Sequence, residues 1–192
     1  ALMLTANLAS LGIGFSFVQI LPHRAAGPAW SRAVNAGLVC GATSGLLVGS
    51  AMALVLPHLS PSFGVAHSGL LALTLALGVA LTTVAALLDQ VFVAERAAGN
   101  MLARNALFAA LKIPLLALPL FAAGLALGAL GILLSWVLAT AATVALSLTV
   151  LLPRLGRRYA PTLRGLAAEL RALRASAIGH HLINVGGIAP MY

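Results

Sequence analysis

The chain of 192 residues is 61% hydrophobic and only 7% charged, and its mean hydropathy is +1.08. Soluble domains carry about 25% charged residues, so this composition excludes a water-soluble fold. The net charge of +8 could indicate a nucleic-acid-binding protein, but no basic face interleaved with aromatic residues accompanies it. We therefore predict an integral membrane protein that does not bind nucleic acid.

Apolar stretches follow one another along the whole chain. A helix needs roughly 20 apolar residues to cross a bilayer, and these stretches reach or approach that length without the alternation of barrel strands. We predict an all-α fold, a polytopic transmembrane helical bundle with five complete spans and the start of a sixth. The spans are residues 1–21, 33–57, 65–93, 105–121, 125–152 and 175–192.

Lysine and arginine occupy alternate links between these spans. All 11 fall in or beside three links, 21–32, 95–104 and 154–174, and the other two links carry none. Positive charge marks the cytoplasmic side of a membrane protein, so the three basic links are predicted to be cytoplasmic. The first span would then be an even-numbered helix. Because the chain also lacks an initial methionine and ends inside an apolar run, we expect it to be a piece of a longer protein.

The last basic link contains an amphipathic pattern. Four leucines fall on one helical stripe after Pro161, and the charged residues of the link fall elsewhere. A basic amphipathic helix lies on a membrane surface, where it is attracted to anionic lipid headgroups. Within the link 154–174 we predict such a surface helix, with membrane lipids as its partner, before the sixth span begins at residue 175.

A small residue recurs at every fourth position of the second span. The series is Ala33, Gly37, Gly41, Gly45, Gly49 and Ala53. Small residues at this spacing form a flat ridge that lets two helix backbones approach closely. The ridge predicts either tight packing inside one bundle or a sliding surface in a protein that changes shape.

Asp89 and Lys112 are the two charged residues that intrude furthest into apolar sequence. They lie at comparable distances from the link between them, so on antiparallel helices they would lie at similar depth and could pair. A charge at the centre of a membrane helix costs about 2.5–3.5 kcal/mol. Two interpretations stay open, a structural ion pair and the coupling of transport to a proton or cation through Asp89.

Polar side chains also mark the first and sixth spans, where Asn7, Gln19, His180, His181 and Asn184 occur. His180 and Asn184 share a helical face, while His181 points about 100° away. Adjacent histidines on a helix cannot both face one metal, and no cysteine or carboxylate cluster accompanies them, so no metal site is predicted. Either an interfacial cap or the lining of a substrate path fits these residues.

Enzyme motifs are absent from the chain. It has no P-loop, GxSxG or HExxH pattern, and its three acidic residues leave no pair of carboxylates for acid–base chemistry. We predict no catalytic residue and no cofactor.

Three features occur in a characteristic order along the chain. Residues 11–22 read LGIGFSFVQILP, residues 88–99 read LDQVFVAERAAG and are followed by Arg104 and Lys112, and a long basic link precedes the last span. This order resembles helices two to seven of polysaccharide flippases in the multidrug/oligosaccharidyl-lipid/polysaccharide exporter superfamily. The resemblance covers the whole chain and about half of the family's length.

The resemblance implies a two-lobe transporter that works by alternating access. Residues 1–153 would form most of the first lobe, residues 154–174 the cytoplasmic link, and residues 175–192 the start of the second lobe. The cargo would be a lipid-linked oligosaccharide of the undecaprenyl-pyrophosphate type, carried across the bacterial inner membrane with or without a coupling cation. A cation-coupled multidrug antiporter of the same superfamily and a multi-span glycan polymerase or ligase are the alternatives.

Helices two and seven border the central cavity in that family. The resemblance therefore implies that six residues are candidates for the substrate path, namely Asn7, Gln19, Arg24, His180, His181 and Asn184. The family often has an arginine where this chain has Gln19. Arg24, in the adjoining link, is the substitute that we consider for contact with the pyrophosphate.

Overall fold

The computed structural model describes residues 2–59, 69–121 and 128–188, and all regular structure in these ranges is helical. The α-helices, in chain order, are α1 Leu2–Ala9, α2 Ile13–Ile20, α3 Pro28–Leu59, α4 Gly69–Ala94, α5 Ala98–Phe121, α6 Gly128–Leu146 and α7 Leu166–Ile188. A π-helical turn and a short 3-10 turn extend α6 to Leu155. The all-α prediction is confirmed for the part of the chain that the structure describes.

Three helical stretches are long and apolar enough to cross a bilayer. They are Pro28–His58, Gly69–Ala94 and Leu130–Leu155, which correspond to α3, α4 and α6 with its extension. The 24-residue helix α5 carries Arg104 and Lys112 within its apolar sequence and is not among them. The structure therefore supports a membrane-embedded chain with three candidate spans in the described residues.

The first predicted span, residues 1–21, is two helices and not one. Leu11 and Gly12 adopt left-handed backbone conformations, with φ of 51° and 73°, so α1 ends at Ala9 and α2 begins at Ile13. The break frees the Ala9 carbonyl, which accepts a hydrogen bond of 2.5 Å from the Ser44 hydroxyl on α3. A serine or threonine on a neighbouring helix commonly satisfies such a freed backbone group inside a membrane.

Helices α3 and α4 touch backbone to backbone through two glycines of the small-residue ridge. A Cβ added to Gly45 would lie 2.7 Å from the Ala80 Cα, and one added to Gly49 would lie 2.8 Å from the Ala76 Cα. Both distances are shorter than van der Waals contact, so only glycine fits this approach. Dispersion between closely spaced backbones, rather than burial from water, holds helices together in lipid.

The other two glycines of the ridge face side chains. A Cβ on Gly37 would meet the Phe17 ring of α2, and a Cβ on Gly41 would lie 2.3 Å from Leu87 Cδ1 of α4. Phe17 is fully buried and Leu87 almost so. The ridge of α3 therefore packs against two helices, α2 at its start and α4 along the rest.

Alanine in place of Gly45 should destabilise the protein by about 1–3 kcal/mol, because the added methyl group overpacks the α3–α4 contact. Gly99→Ala near the start of α5 is the matched control, since its Cβ would meet nothing within 4 Å. Thermal unfolding of both variants in detergent measures the difference. Equal unfolding temperatures for the two variants would contradict the close α3–α4 approach.

Helix α7 runs without interruption through residue 175, where the sequence predicted a boundary between a surface helix and a span. Gly165, with φ of 73°, precedes its first turn. Leu173 is only 2% exposed and packs in the core beside Ala177. Leu173, the last residue of the leucine stripe, therefore lies against the bundle and not on a lipid surface. One helix carries both the end of the predicted link and the segment after it.

Candidate functional site

Helices α1, α4, α5 and α6 line a half-open cavity of about 270 Å³, which we call the polar cavity after the polar side chains in its wall. Each of them contributes at least one polar side chain to its wall. The polar and aromatic lining consists of Asn7, Thr82, Asp89, Arg104, Asn105, Phe108, Trp136 and Thr140. A small number of convergent polar groups in a mostly apolar cavity is the usual composition of a ligand site.

A bidentate ion pair between α4 and α5 forms one wall of this cavity. The Arg104 guanidinium donates from Nε to Asp89 Oδ1 at 3.0 Å and from Nη2 to Asp89 Oδ2 at 2.5 Å. Nη2 also donates to Asn105 Oδ1 at 3.0 Å. Two parallel charge-assisted hydrogen bonds fix the relative orientation of the two side chains. Arg104 is 5% exposed, so this charge lies inside the bundle.

The α4–α5 turn explains why these two residues meet. Helix α4 ends at Ala94. Arg96, in the turn that follows, has a left-handed conformation with φ of 54°, and the Ala97 N–H donates to the Phe92 carbonyl at 2.8 Å. Helix α5 can therefore begin at Ala98, and the link is three residues long instead of the predicted 95–104. This early start places Arg104 in the second turn of α5, opposite Asp89.

Lys112 does not pair with Asp89, contrary to the expectation from the sequence. It lies eight residues beyond Arg104, about 12 Å further along α5 at 1.5 Å per residue. Its Nζ atom is 4.4 Å from the centroid of the Trp136 ring and 5.9 Å from that of Phe108. The charge of Lys112 is thus stabilised by aromatic faces, which attract a cation through the ring quadrupole.

A further polar group of the cavity has no hydrogen-bond partner among the described residues. The Thr82 hydroxyl oxygen is buried and unpaired. Buried polar groups are nearly always paired, with protein, water or a ligand. This hydroxyl, the Asp89–Arg104 pair and the Asn7 amide together offer hydrogen-bond donors and acceptors to a polar molecule in the cavity.

A second cluster of predicted residues lies where α2 meets α7. The Ser16 hydroxyl donates to Ser176 Oγ at 3.1 Å, and the Ser176 hydroxyl donates to Gln19 Oε1 at 3.3 Å. The His180 ring lies 5.7 Å from that of Phe15. The α2–α7 contact thus contains Gln19 and His180, while Asn7 lies on the polar cavity.

His181 lines a different and mainly apolar cavity, of about 370 Å³, beside Cys40 and Leu173. Its Nδ1 atom is buried without a hydrogen-bond partner in the described ranges. Asn184 belongs to α7, but its side chain lies outside the described residues. The five predicted path residues whose side chains are described therefore do not form one site.

The three basic links meet at one end of the bundle. Arg24 of the first link lies 3.0 Å from Glu169 of α7, and Arg32 lies 3.7 Å from the same carboxylate. Arg157 of the last link lies 2.6 Å from Glu95 of the α4–α5 turn. Arg24, the expected pyrophosphate contact, is therefore engaged by a carboxylate of the chain itself.

All three acidic residues of the chain are thus paired with arginine. Four of the ten arginines take part in these pairs, and the other six are exposed, namely Arg96, Arg154, Arg158, Arg164, Arg171 and Arg174. The excess positive charge of the chain is therefore concentrated on arginines of the links and of the start of α7.

Glu95 connects the first basic link with the last. One of its oxygens accepts a hydrogen bond from Arg157, and the other accepts one of 2.8 Å from Trp30 Nε1. Glutamine at this position keeps an acceptor for Trp30 but leaves the Arg157 guanidinium without its counter-charge. We expect Glu95→Gln to lower the free energy of unfolding by about 1–3 kcal/mol. Arg154→Gln, which removes an exposed charge from the same end, should change it by less than about 0.5 kcal/mol. Chemical unfolding in detergent distinguishes the two, and equal losses would contradict a structural role for Glu95.

Comparisons with family models, with curated proteins and with solved structures find no match to this chain. The resemblance to flippases therefore stays a prediction, and the site must be interpreted from its own chemistry.

Several residues of the polar cavity escaped the sequence analysis as functional candidates. Arg104 was assigned to a link, and Trp136 and Thr140 lie in an apolar span without any motif. Asn105 directly follows Arg104 in the sequence, and its side-chain oxygen Oδ1 accepts a hydrogen bond from that guanidinium. Arg104 lies opposite Asp89 because the link between α4 and α5 has only three residues, and no motif in the sequence indicates that length.

Proposed function

We propose that the protein is a membrane transporter, and specifically a flippase that carries lipid-linked oligosaccharide across the bacterial inner membrane by alternating access. One observation carries the proposal of transport. A bidentate Asp89–Arg104 pair, with one partner in a candidate span, opens on a polar cavity among four helices. Charges inside membrane helices are costly and characteristically mark substrate or ion pathways.

The break between α1 and α2 supports the same proposal. Transporters build their binding sites beside discontinuous helices, whose interrupted backbone is tolerated where it borders a cavity. Here Asn7, in the last turn of α1, lines the polar cavity, and the left-handed Leu11–Gly12 pair follows directly.

The choice of an oligosaccharide cargo rests on the resemblance and on the composition of the cavity. Hydroxyl, amide, carboxylate and guanidinium groups beside the Trp136 ring suit a ligand rich in hydroxyl groups.

In the proposed protein the bundle of residues 1–153 has five spans, and α7 leads into a second lobe. The basic links, which meet at one end, would face the cytoplasm.

Cation-coupled drug export is the alternative within the same superfamily. Asp89 is the one carboxylate among the three that lies inside a candidate span. Because both of its oxygens accept hydrogen bonds from Arg104, the pair has no net charge with which to hold a cation. The geometry therefore favours a polar neutral cargo group over a metal cation at this cavity.

Disruption of the full-length gene in its host tests the proposal. We expect lipid-linked oligosaccharide to accumulate at the cytoplasmic face and surface glycan to decrease, with both effects reversed by the intact gene. Drug susceptibility, measured in parallel, should not change. Unaltered precursor and surface glycan in the disrupted strain would contradict the flippase proposal, and increased drug susceptibility alone would favour the antiporter.

A further inference from the structure

A second cavity, of about 490 Å³, forms a lateral groove between α3, α4 and α6. Its wall is aliphatic and comes from all three candidate spans, with Leu38, Ala42, Leu81, Val84, Val144 and Leu148 as the main lining. From Asn35 to Ala42 the groove follows α3 for about 10 Å at 1.5 Å per residue. That length lies within one leaflet of a bilayer whose hydrocarbon core is about 30 Å thick.

The groove ends in a polar rim formed by the segment after α6. The Tyr159 hydroxyl donates to Asn35 Oδ1 at 2.7 Å, and Asn35 Nδ2 donates to the Ala160 carbonyl at 3.0 Å. Burial raises the pKa of the Tyr159 hydroxyl, which therefore stays a donor at neutral pH. These bonds hold the segment against α3, so the rim has a defined position at the end of the groove.

Uncompensated positive charge flanks this rim. Arg158 precedes Tyr159, and Arg164 follows Leu163, the last residue of the segment that lines the groove. Both arginines are exposed. The three acidic side chains of the chain are already paired with other arginines, so neither Arg158 nor Arg164 has a counter-charge within the described ranges.

We propose that the groove binds one acyl chain of an anionic phospholipid, whose phosphate-bearing headgroup contacts Arg158 and Arg164. The aliphatic wall suits a hydrocarbon chain, and the rim carries the charge that complements an anionic headgroup. A lipid tail is attracted to an apolar side chain no more strongly than it is attracted to another lipid tail. Selectivity therefore comes from the headgroup, and the groove determines where the bound lipid lies.

A structural lipid of this kind is independent of the proposed transport function and of its cargo. Native mass spectrometry of the purified full chain, titrated with phosphatidylglycerol or with phosphatidylcholine of the same acyl chains, measures it directly. We expect one phosphatidylglycerol to remain bound with a preference of about 30-fold over phosphatidylcholine, from two basic contacts. Similar retention of both lipids would overturn the proposal.

Variants separate the headgroup contact from the groove. The double variant Arg158→Gln, Arg164→Gln should abolish the preference, whereas Arg96→Gln, Arg171→Gln, which removes two exposed charges away from the groove, should keep it. Ala42→Leu fills the groove and should reduce the retention of phosphatidylglycerol. Unchanged retention in either the first double variant or Ala42→Leu would overturn the proposal.

Soluble glycerol phosphate serves as a competitor that has the headgroup chemistry without a tail. We expect it to leave the retained phosphatidylglycerol in place, because only the lipid occupies the groove. Complete displacement by glycerol phosphate would show that the arginines alone form the site, and would overturn the role of the groove.

Discussion

Alanine in place of Gly12 should separate α7 from α2 and lower the free energy of unfolding by about 2–5 kcal/mol, the sum of two costs. The first is backbone strain, because the φ of 73° at Gly12 is unfavourable for any residue with a Cβ. The second is steric, since the added Cβ would lie 2.3 Å from the Ala177 carbonyl oxygen and 2.6 Å from the His181 amide nitrogen. Neither backbone atom can rotate away, so the whole of α7 must shift.

Gly27→Ala separates these two costs. Gly27 has a φ of 93°, but its Cβ would meet nothing within 4 Å. The Gly27→Ala variant should therefore lose only about 1–2 kcal/mol of its free energy of unfolding, through backbone strain. Gly179→Ala in α7, which adds neither strain nor contact, should have little effect. Thermal unfolding in detergent gives the order, and equal losses at Gly12 and Gly27 would contradict the close α2–α7 approach.

Glutamine in place of Arg104 should lower the free energy of unfolding by about 3–5 kcal/mol, because it leaves the Asp89 carboxylate within the bundle without its partner. Asp89→Asn should cost a similar amount by leaving the guanidinium unpaired. Lys112→Gln is the control on the same helix, and loss of its contact with the Trp136 ring should cost about 0.5–2 kcal/mol. Chemical unfolding of the three variants measures the differences. An Arg104→Gln protein as stable as Lys112→Gln would show that the ion pair contributes little.

The helical class and three of the spans could be predicted because apolar length alone determines whether a helix can cross a bilayer. The glycine spacing along α3 likewise pointed to a close helix contact, and the structure places Gly45 and Gly49 directly against α4. The distribution of arginine grouped the basic links, and the ion pairs of Glu95 and Glu169 join them at one end. Each of these inferences depends on a property that is regular along the sequence.

Other features depend on single backbone conformations and could not be predicted in this way. The break at Leu11–Gly12 leaves the hydropathy of residues 1–21 unchanged, so length and composition indicate one helix where there are two. The left-handed Arg96 shortens the next link and brings Arg104 into α5, which changes the partner of Asp89. Sequence spacing alone placed Lys112 there, because it assumed a longer loop.

The proposed function assigns the Asp89–Arg104 pair a part in transport, beyond holding α4 and α5 together. The double variant Asp89→Asn, Arg104→Gln removes both charges at once. A neutral pair of similar volume avoids the unpaired charge of each single variant, so folding stability should recover towards that of the wild type.

The decisive measurement is the transport of lipid-linked oligosaccharide by the full-length gene product in proteoliposomes, with the double variant and the wild type compared at equal reconstitution. The proposed role predicts a double variant that folds well and transports no faster than empty vesicles. Transport at the wild-type rate by the stable, uncharged double variant would contradict that role and leave the pair a structural one.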